Sequence, residues 1–215
     1  MAGAIELVDG MRILFQGDSI TDCGRGAEPD GLGGGYAVMT AGLVQAMHPG
    51  MKIEVINRGI GGNRVKDLEP RWQADCIDLR PDVVSIMIGI NDTFWARAPQ
   101  DATPVEDYEA RYRRILTRTR DELGAKVVML EPFLVHYSPD NPHVRADLDA
   151  TIGAARRLAR EFASAYVPLD GVFAAVTARA KPQYWSGDGV HPTAAGHGLI
   201  ALEWIRAVTG RDPRT

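Results

Sequence analysis

Five short apolar runs, spaced along the chain and separated by longer amphipathic stretches, limit the possible folds more than any other feature. They are Arg12–Gln16, Lys52–Asn57, Asp82–Ile88, Lys126–Leu130 and Tyr166–Leu169. Each is rich in Val and Ile and nearly continuous in apolar character, as expected of a strand covered by helices on both faces. The stretches between them read as helices: Tyr36–Met47, Val65–Leu79, Val105–Leu123, Val144–Ala165 and Thr193–Val208. Val65, Leu68, Trp72, Cys76 and Leu79 fall at helical spacing, and Gly124 and Gly210 follow helix ends where a left-handed residue is favoured. This β–α alternation predicts a mostly parallel sheet in a three-layer α/β/α arrangement. No internal repeat, low-complexity tract or linker interrupts it, so a single domain is expected over residues 1–215.

The composition excludes several function classes. A net charge of −4 and a pI near 5.7 argue against a nucleic-acid partner. Arg111, Arg113, Arg114, Arg118 and Arg120 sit among acidic residues and read as a solvated helix face. No apolar run approaches the roughly 18 residues of a membrane span. The first ten residues lack the basic and apolar segments of a signal peptide, so the cytoplasm is the expected location, with Cys23 and Cys76 as free thiols. His48, His136 and His143 show no metal-ligand spacing, and His197 reads as a structural residue of the last helix.

In an open parallel sheet, ligands bind beyond the carboxyl ends of the strands. Gly17-Asp18-Ser19 follows the first strand and puts a hydroxyl on a turn into a helix, where backbone N–H groups favour negative charge. Alone, this is an ordinary N-cap serine. Asn57-Arg58-Gly59-Ile60-Gly61-Gly62-Asn63 follows the second and offers close-approaching backbone N–H groups. Its spacing matches neither a dinucleotide fingerprint nor a P-loop. Gly89-Ile90-Asn91-Asp92 follows the third and supplies an amide donor. Near the C-terminus, Asp188 and His191 lie three positions apart, a spacing that lets the carboxylate hold imidazole Nδ1 and leave Nε2 free to take a proton. Each run alone has a bland reading as a turn or cap. Together they comprise a nucleophile, oxyanion donors, an orienting acid and a base, the set required for acyl transfer.

With these motifs, the chain resembles the SGNH hydrolases, or GDSL esterase/lipase superfamily, and within it the intracellular acetylxylan esterases. The resemblance runs through Gly17–Arg25, Gly59–Asn63, Val84–Asp92 and Val190–His197. It implies a flavodoxin-like fold with a five-stranded parallel sheet of order 2-1-3-4-5. It also implies Ser19 as nucleophile, Asp188 and His191 as acid and base, and an oxyanion hole of the Ser19 and Gly62 N–H groups with the Asn91 side chain. Two positions depart from the family pattern: Gly61, where such esterases often carry Ser, and Ser186-Gly187, where close relatives carry Trp.

The expected activity is removal of acetyl groups from carbohydrates, above all acetylated xylo-oligosaccharides, with no metal or organic cofactor. Trp95, Glu131, Tyr184 and Trp185 are candidate substrate contacts, the aromatics for stacking on a sugar and Glu131 as part of the cleft wall. Asp18 and Asp22 read as backbone-capping residues beside the nucleophile. The alternatives are a thioesterase or lysophospholipase and a non-catalytic glycan-binding protein. Expected partners are a small acetylated carbohydrate and, by the resemblance, further copies of the chain in a homo-oligomer; no nucleic acid or membrane is expected.

Overall fold

The computed structural model describes residues 4–93, 102–136 and 143–213. Five parallel strands form one sheet in the order β2-β1-β3-β4-β5. They are β1 (Arg12–Gly17), β2 (Glu54–Asn57), β3 (Val83–Met87), β4 (Lys126–Leu130) and β5 (Ala165–Val167). The helices are α1 (Ser19–Asp22), α2 (Tyr36–Met47), α3 (Val65–Trp72), α4 (Val105–Arg118), α5 (His143–Phe162), α6 (Leu169–Thr177), α7 (Pro182–Trp185) and α8 (Ala194–Thr209). Both α3 and α4 run on through a π-helical turn, Gln73–Ile77 and Thr119–Leu123. α4 with its extension then stops at Gly124 (φ 63°), and α8 at Gly210 (φ 70°).

Strand alternation sorts the side chains into two cores. Ile13, Phe15, Val83, Met87, Val128 and Leu130 point to one face, with residues of α2 and α8. Leu14, Val84, Ile86, Val127 and Met129 point to the other, with residues of α3 and α4. Apolar side chains on both faces explain why the strands read as continuous hydrophobic runs. The one polar side chain inside β3, Ser85, accepts a 3.0 Å hydrogen bond from Trp204 Nε1, so both polar groups are satisfied in the core.

The arginines of α4 are paired at the surface. Arg111 and Arg114 both reach Glu69, Arg113 reaches Glu161, and Arg118 reaches Glu122. Such solvent-screened pairs contribute little to stability. They make this helix the solvated face its charge pattern predicts.

Most boundaries differ from those predicted by one or two residues, and the helix expected over Val144–Ala165 runs His143–Phe162, because Ala165 belongs to β5. The fifth strand spans Ala165–Val167 rather than Tyr166–Leu169, because Pro168 is the N-cap of α6, which takes Leu169 into its first turn. α6 and α7 have no counterpart among the predicted helices. No helix among the described residues is long and apolar enough to cross a membrane.

Candidate active site

β1 ends at Gly17, and Asp18 caps the short α1 by accepting the Ile20 N–H at 3.0 Å. Ser19 is therefore the first helical residue, and its own N–H has no acceptor among the described residues. Burial pushes the Asp18 carboxyl up to about 7.

The expected acid and base, Asp188 and His191, lie in the loop between α7 and α8. Ser19 Oγ lies 2.9 Å from His191 Nε2, and His191 Nδ1 lies 2.6 Å from Asp188 Oδ2. The other carboxylate oxygen of Asp188 accepts the Val190 and His191 backbone N–H groups at 2.9 and 2.8 Å. Ser186, fully buried, places its hydroxyl 3.2 Å from the same oxygen and 2.9 Å from the His191 carbonyl. Burial alone would raise the Asp188 carboxyl. The hydrogen bond from His191 and those from the two backbone N–H groups outweigh it and hold the group at about 2. Asp188 is thus ionised across the neutral range, and a carboxylate facing Nδ1 favours the tautomer whose Nε2 accepts a proton from Ser19.

The segment after β4 braces this loop from behind. Val135 N–H donates to the Gly189 carbonyl at 2.8 Å, and His136 Nε2 lies 3.2 Å from the Ser186 carbonyl. Gly189 has φ 94°, and a Cβ there would lie 2.0 Å from the His136 carbonyl oxygen, so the position accepts glycine alone.

The glycine loop after β2 has its N–H groups spoken for in turn. Arg58 donates to the Phe15 carbonyl, Gly59 to Asn57 Oδ1, Ile60 to the Gly17 carbonyl, Gly61 to Asp22 Oδ2 and Asn63 to the Ile60 carbonyl. Gly62, exposed and at φ 77°, has no acceptor among the described residues. After β3, Asn91 Nδ2 donates one hydrogen to the Asn63 carbonyl at 3.2 Å, which fixes the amide and leaves its second hydrogen available. Behind it, Asp92 Oδ2 accepts the Val65 N–H at 3.2 Å, and burial pushes that carboxyl up to about 7.

The structure therefore brings Ser19, His191 and Asp188 into one hydrogen-bonded chain. It leaves three donors, on Ser19, Gly62 and Asn91, without a full set of partners. Donors of this kind stabilise a developing oxyanion when they converge on it. The proposed substrate contacts fare differently. Tyr184 is 58% exposed and packs edge-on against the half-buried Trp185, 4.8 Å between ring centroids. Their carbonyls accept hydrogen bonds from Thr193, so α7 ties down the start of α8. Trp95 lies outside the described residues.

Glu131 does not line the cleft. Its side chain is wholly buried, accepting two 3.0 Å bonds from Arg156 and one from the Tyr166 hydroxyl. The reason is parity: Met129 and Glu131 share one face of the strand, so the carboxylate turns toward α5 and β5 instead of over the sheet edge.

His197 is a buried, neutral residue that ties α8 to the start of α2 and the end of α1. Its Nδ1 accepts the Tyr36 N–H at 3.1 Å, so Nε2 carries the hydrogen toward Cys23 Sγ, 3.6 Å away. Burial lowers its pKa to about 4. Sequence reasoning missed Ser186 and His136. Ser186 acts within its own loop, on Asp188 and His191 two and five residues on, whereas His136 acts on a loop 50 residues away that the fold brings near.

Residues 15–199 match the model of the GDSL-like Lipase/Acylhydrolase family. A curated acetylxylan esterase of Geobacillus stearothermophilus is 36% identical over 95% of this chain and 96% of its own. The crystal structure of a putative GDSL-like lipase from Parabacteroides merdae superposes with a TM-score of 0.89 at 36% identity, covering 95% of this chain and 98% of that one. Structures of catalytic mutants of the Geobacillus esterase Axe2, altered at a serine, an aspartate and a histidine, match at 34% identity with TM-scores of 0.85, 0.85 and 0.86. Each covers 95% of this chain and 96% of its own.

Proposed function

The chain belongs to the GDSL-like lipase/acylhydrolase family, and on that premise we propose that it is a serine esterase that deacetylates carbohydrates, with acetylated xylo-oligosaccharides as its substrates. The observation that carries this reading is the unbroken chain Asp188–His191–Ser19, set beside three open donors. His191 Nε2 takes the Ser19 proton as Oγ attacks the ester carbonyl. The Ser19 and Gly62 N–H groups and the Asn91 amide hold the oxyanion. As the bond to the sugar breaks, His191 passes its proton to the leaving sugar oxygen, which departs as a hydroxyl, and water activated by the same imidazole then hydrolyses the acyl-enzyme to release acetate. The residues named need no metal or organic cofactor for these steps. The resemblance to a curated acetylxylan esterase supports the choice of acyl group and alcohol.

Two comparisons test the assignment. The enzyme releases acetate from acetylated xylo-oligosaccharides and hydrolyses p-nitrophenyl acetate faster than the octanoate. A clear preference for octanoate would remove the deacetylase reading in favour of a thioesterase or lysophospholipase. Asn91→Ala, measured on the same substrates, lowers kcat by about 10²–10³-fold, the usual cost of losing one oxyanion donor. An unchanged kcat would take Asn91 out of the oxyanion hole.

A further inference from the structure

Of the donors assigned to the oxyanion, the Gly62 N–H has the least rigid support. It sits in the Ile60–Asn63 turn, whose two central residues are both glycine. Glycine loses more conformational freedom on ordering than any other residue, so such a turn needs anchors from outside itself. Its carbonyl side has them at a distance: Arg71 Nη1 binds the Arg58 carbonyl at 2.9 Å, Arg71 Nε binds Asn63 Oδ1 at 3.0 Å, and Arg25 Nε binds the Gly59 carbonyl at 2.6 Å. At the tip the described residues supply a single anchor, the 3.0 Å bond from the Gly61 N–H to Asp22 Oδ2.

Asp22 is well placed for that task. It is the last residue of α1, three positions after Ser19, so the nucleophile and the anchor ride on the same turn of backbone. A Cβ on Gly61 would lie 3.7 Å from the Asp22 carboxylate and 4.0 Å from Ser19 Cβ, which puts the loop tip directly against both. One residue pair further back, a Cβ on Gly59 would lie 2.4 Å from the Asp22 nitrogen, so the two backbones are in contact there as well. The second carboxylate oxygen of Asp22 accepts the Arg25 N–H at 3.3 Å and lies 3.8 Å from Arg25 Nε. Asp22 and Arg25 thus form a clamp that joins the serine turn to the glycine loop.

We infer that Asp22 is a positioning residue: by holding the Gly61 peptide, its carboxylate fixes the Gly62 N–H relative to Ser19 Oγ. The inference rests on the esterase reading of the site. It makes the distance between nucleophile and oxyanion donor a property of one hydrogen bond across 39 residues of sequence.

The test compares Asp22→Ala, Asp22→Asn and Ser19→Ala on p-nitrophenyl acetate. Misplacing one donor by about 1 Å costs on the order of 10²-fold, so Asp22→Ala loses about 10- to 100-fold in kcat while KM stays within about twofold. Asp22→Asn keeps an oxygen facing Gly61 and recovers most of that loss. The rate of phosphonylation by a fluorophosphonate, whose P–O oxygen takes the oxyanion position, falls in parallel with kcat. A role confined to stability would lower the melting temperature and leave the kcat of the folded fraction unchanged, and that result overturns the proposal. If Asp22→Ala does not fold, Asp22→Ser, which shortens the side chain and keeps a hydroxyl for Arg25, is held to the same expectation. Should Ser19→Ala stay active, the esterase reading itself fails; should Ser19→Ala be inactive and the Asp22 variants turn over normally, only the positioning role fails.

Discussion

Ser19→Ala is expected to lose acetyl ester hydrolysis by about 10⁴–10⁶-fold with its fold unchanged. The size follows from what the hydroxyl does. On the proposed mechanism it forms the acyl-enzyme, and the His191 imidazole that takes its proton lies 2.9 Å away. Whatever rate survives comes from the open donors and from substrate binding, which act on attack by water. The fold is expected to survive because Ser19 caps nothing: Asp18 holds the start of α1, and the Ser19 hydroxyl bonds to the base alone among the described residues. Circular dichroism and the melting temperature report the fold, and acetate release reports the activity. A variant that keeps even a few per cent of wild-type turnover contradicts the assignment.

Asp188→Asn is expected to lower kcat/KM by about 10⁴-fold while leaving the active-site loop in place. Asn retains an oxygen for the Val190 and His191 N–H groups, so the backbone bonds at 2.9 and 2.8 Å persist. The opposite atom, 2.6 Å from His191 Nδ1, becomes an amide nitrogen that donates. Imidazole Nδ1 must then accept, Nε2 carries the hydrogen, and Ser19 has no base. The wild-type acid limb should not come from Asp188, since its carboxyl is held at about 2. The same shift sets the sign of its stability contribution. A carboxyl whose pKa falls on folding stabilises fully above its unfolded value near 3.8 and loses that contribution as pH falls through about 2. With the side chain 48% exposed, solvent screens much of it, so the variant's melting temperature at neutral pH changes little beside its rate.

These expectations differ in how much of them the sequence makes visible. The strand runs were legible because both faces of each strand are buried, and the motif after each strand was legible because parallel topology sends every carboxyl end to the same edge. The β2-β1-β3-β4-β5 order came from family resemblance, since periodicity does not specify which strands are neighbours. Glu131 is not legible in this way: its place after a strand says it is near the edge, whereas the direction of its side chain depends on parity and on a partner, Arg156, 25 residues away. Asp22 read only as a local cap. Its bond to Gly61 needs the glycine loop laid across α1, a contact set by the pairing of β1 with β2. His136 is hidden for the same reason, since its bond to the Ser186 carbonyl spans 50 residues of sequence. Ser186 lies in the acid–base loop itself, two residues before Asp188, but in the sequence it reads as a departure from the family's Trp and not as a support for the acid.

The central claim is that Ser19 forms a covalent intermediate during ester cleavage, and a serine-directed fluorophosphonate tests it most directly. Wild-type enzyme is treated with the reagent, digested and mapped by mass spectrometry while acetate release is followed on the same sample. The predicted result is one adduct per chain, on the peptide that carries Ser19, with activity falling in step with labelling and no adduct in Ser19→Ala. An adduct on a different residue, or full labelling of Ser19 with acetate release intact, would contradict the account.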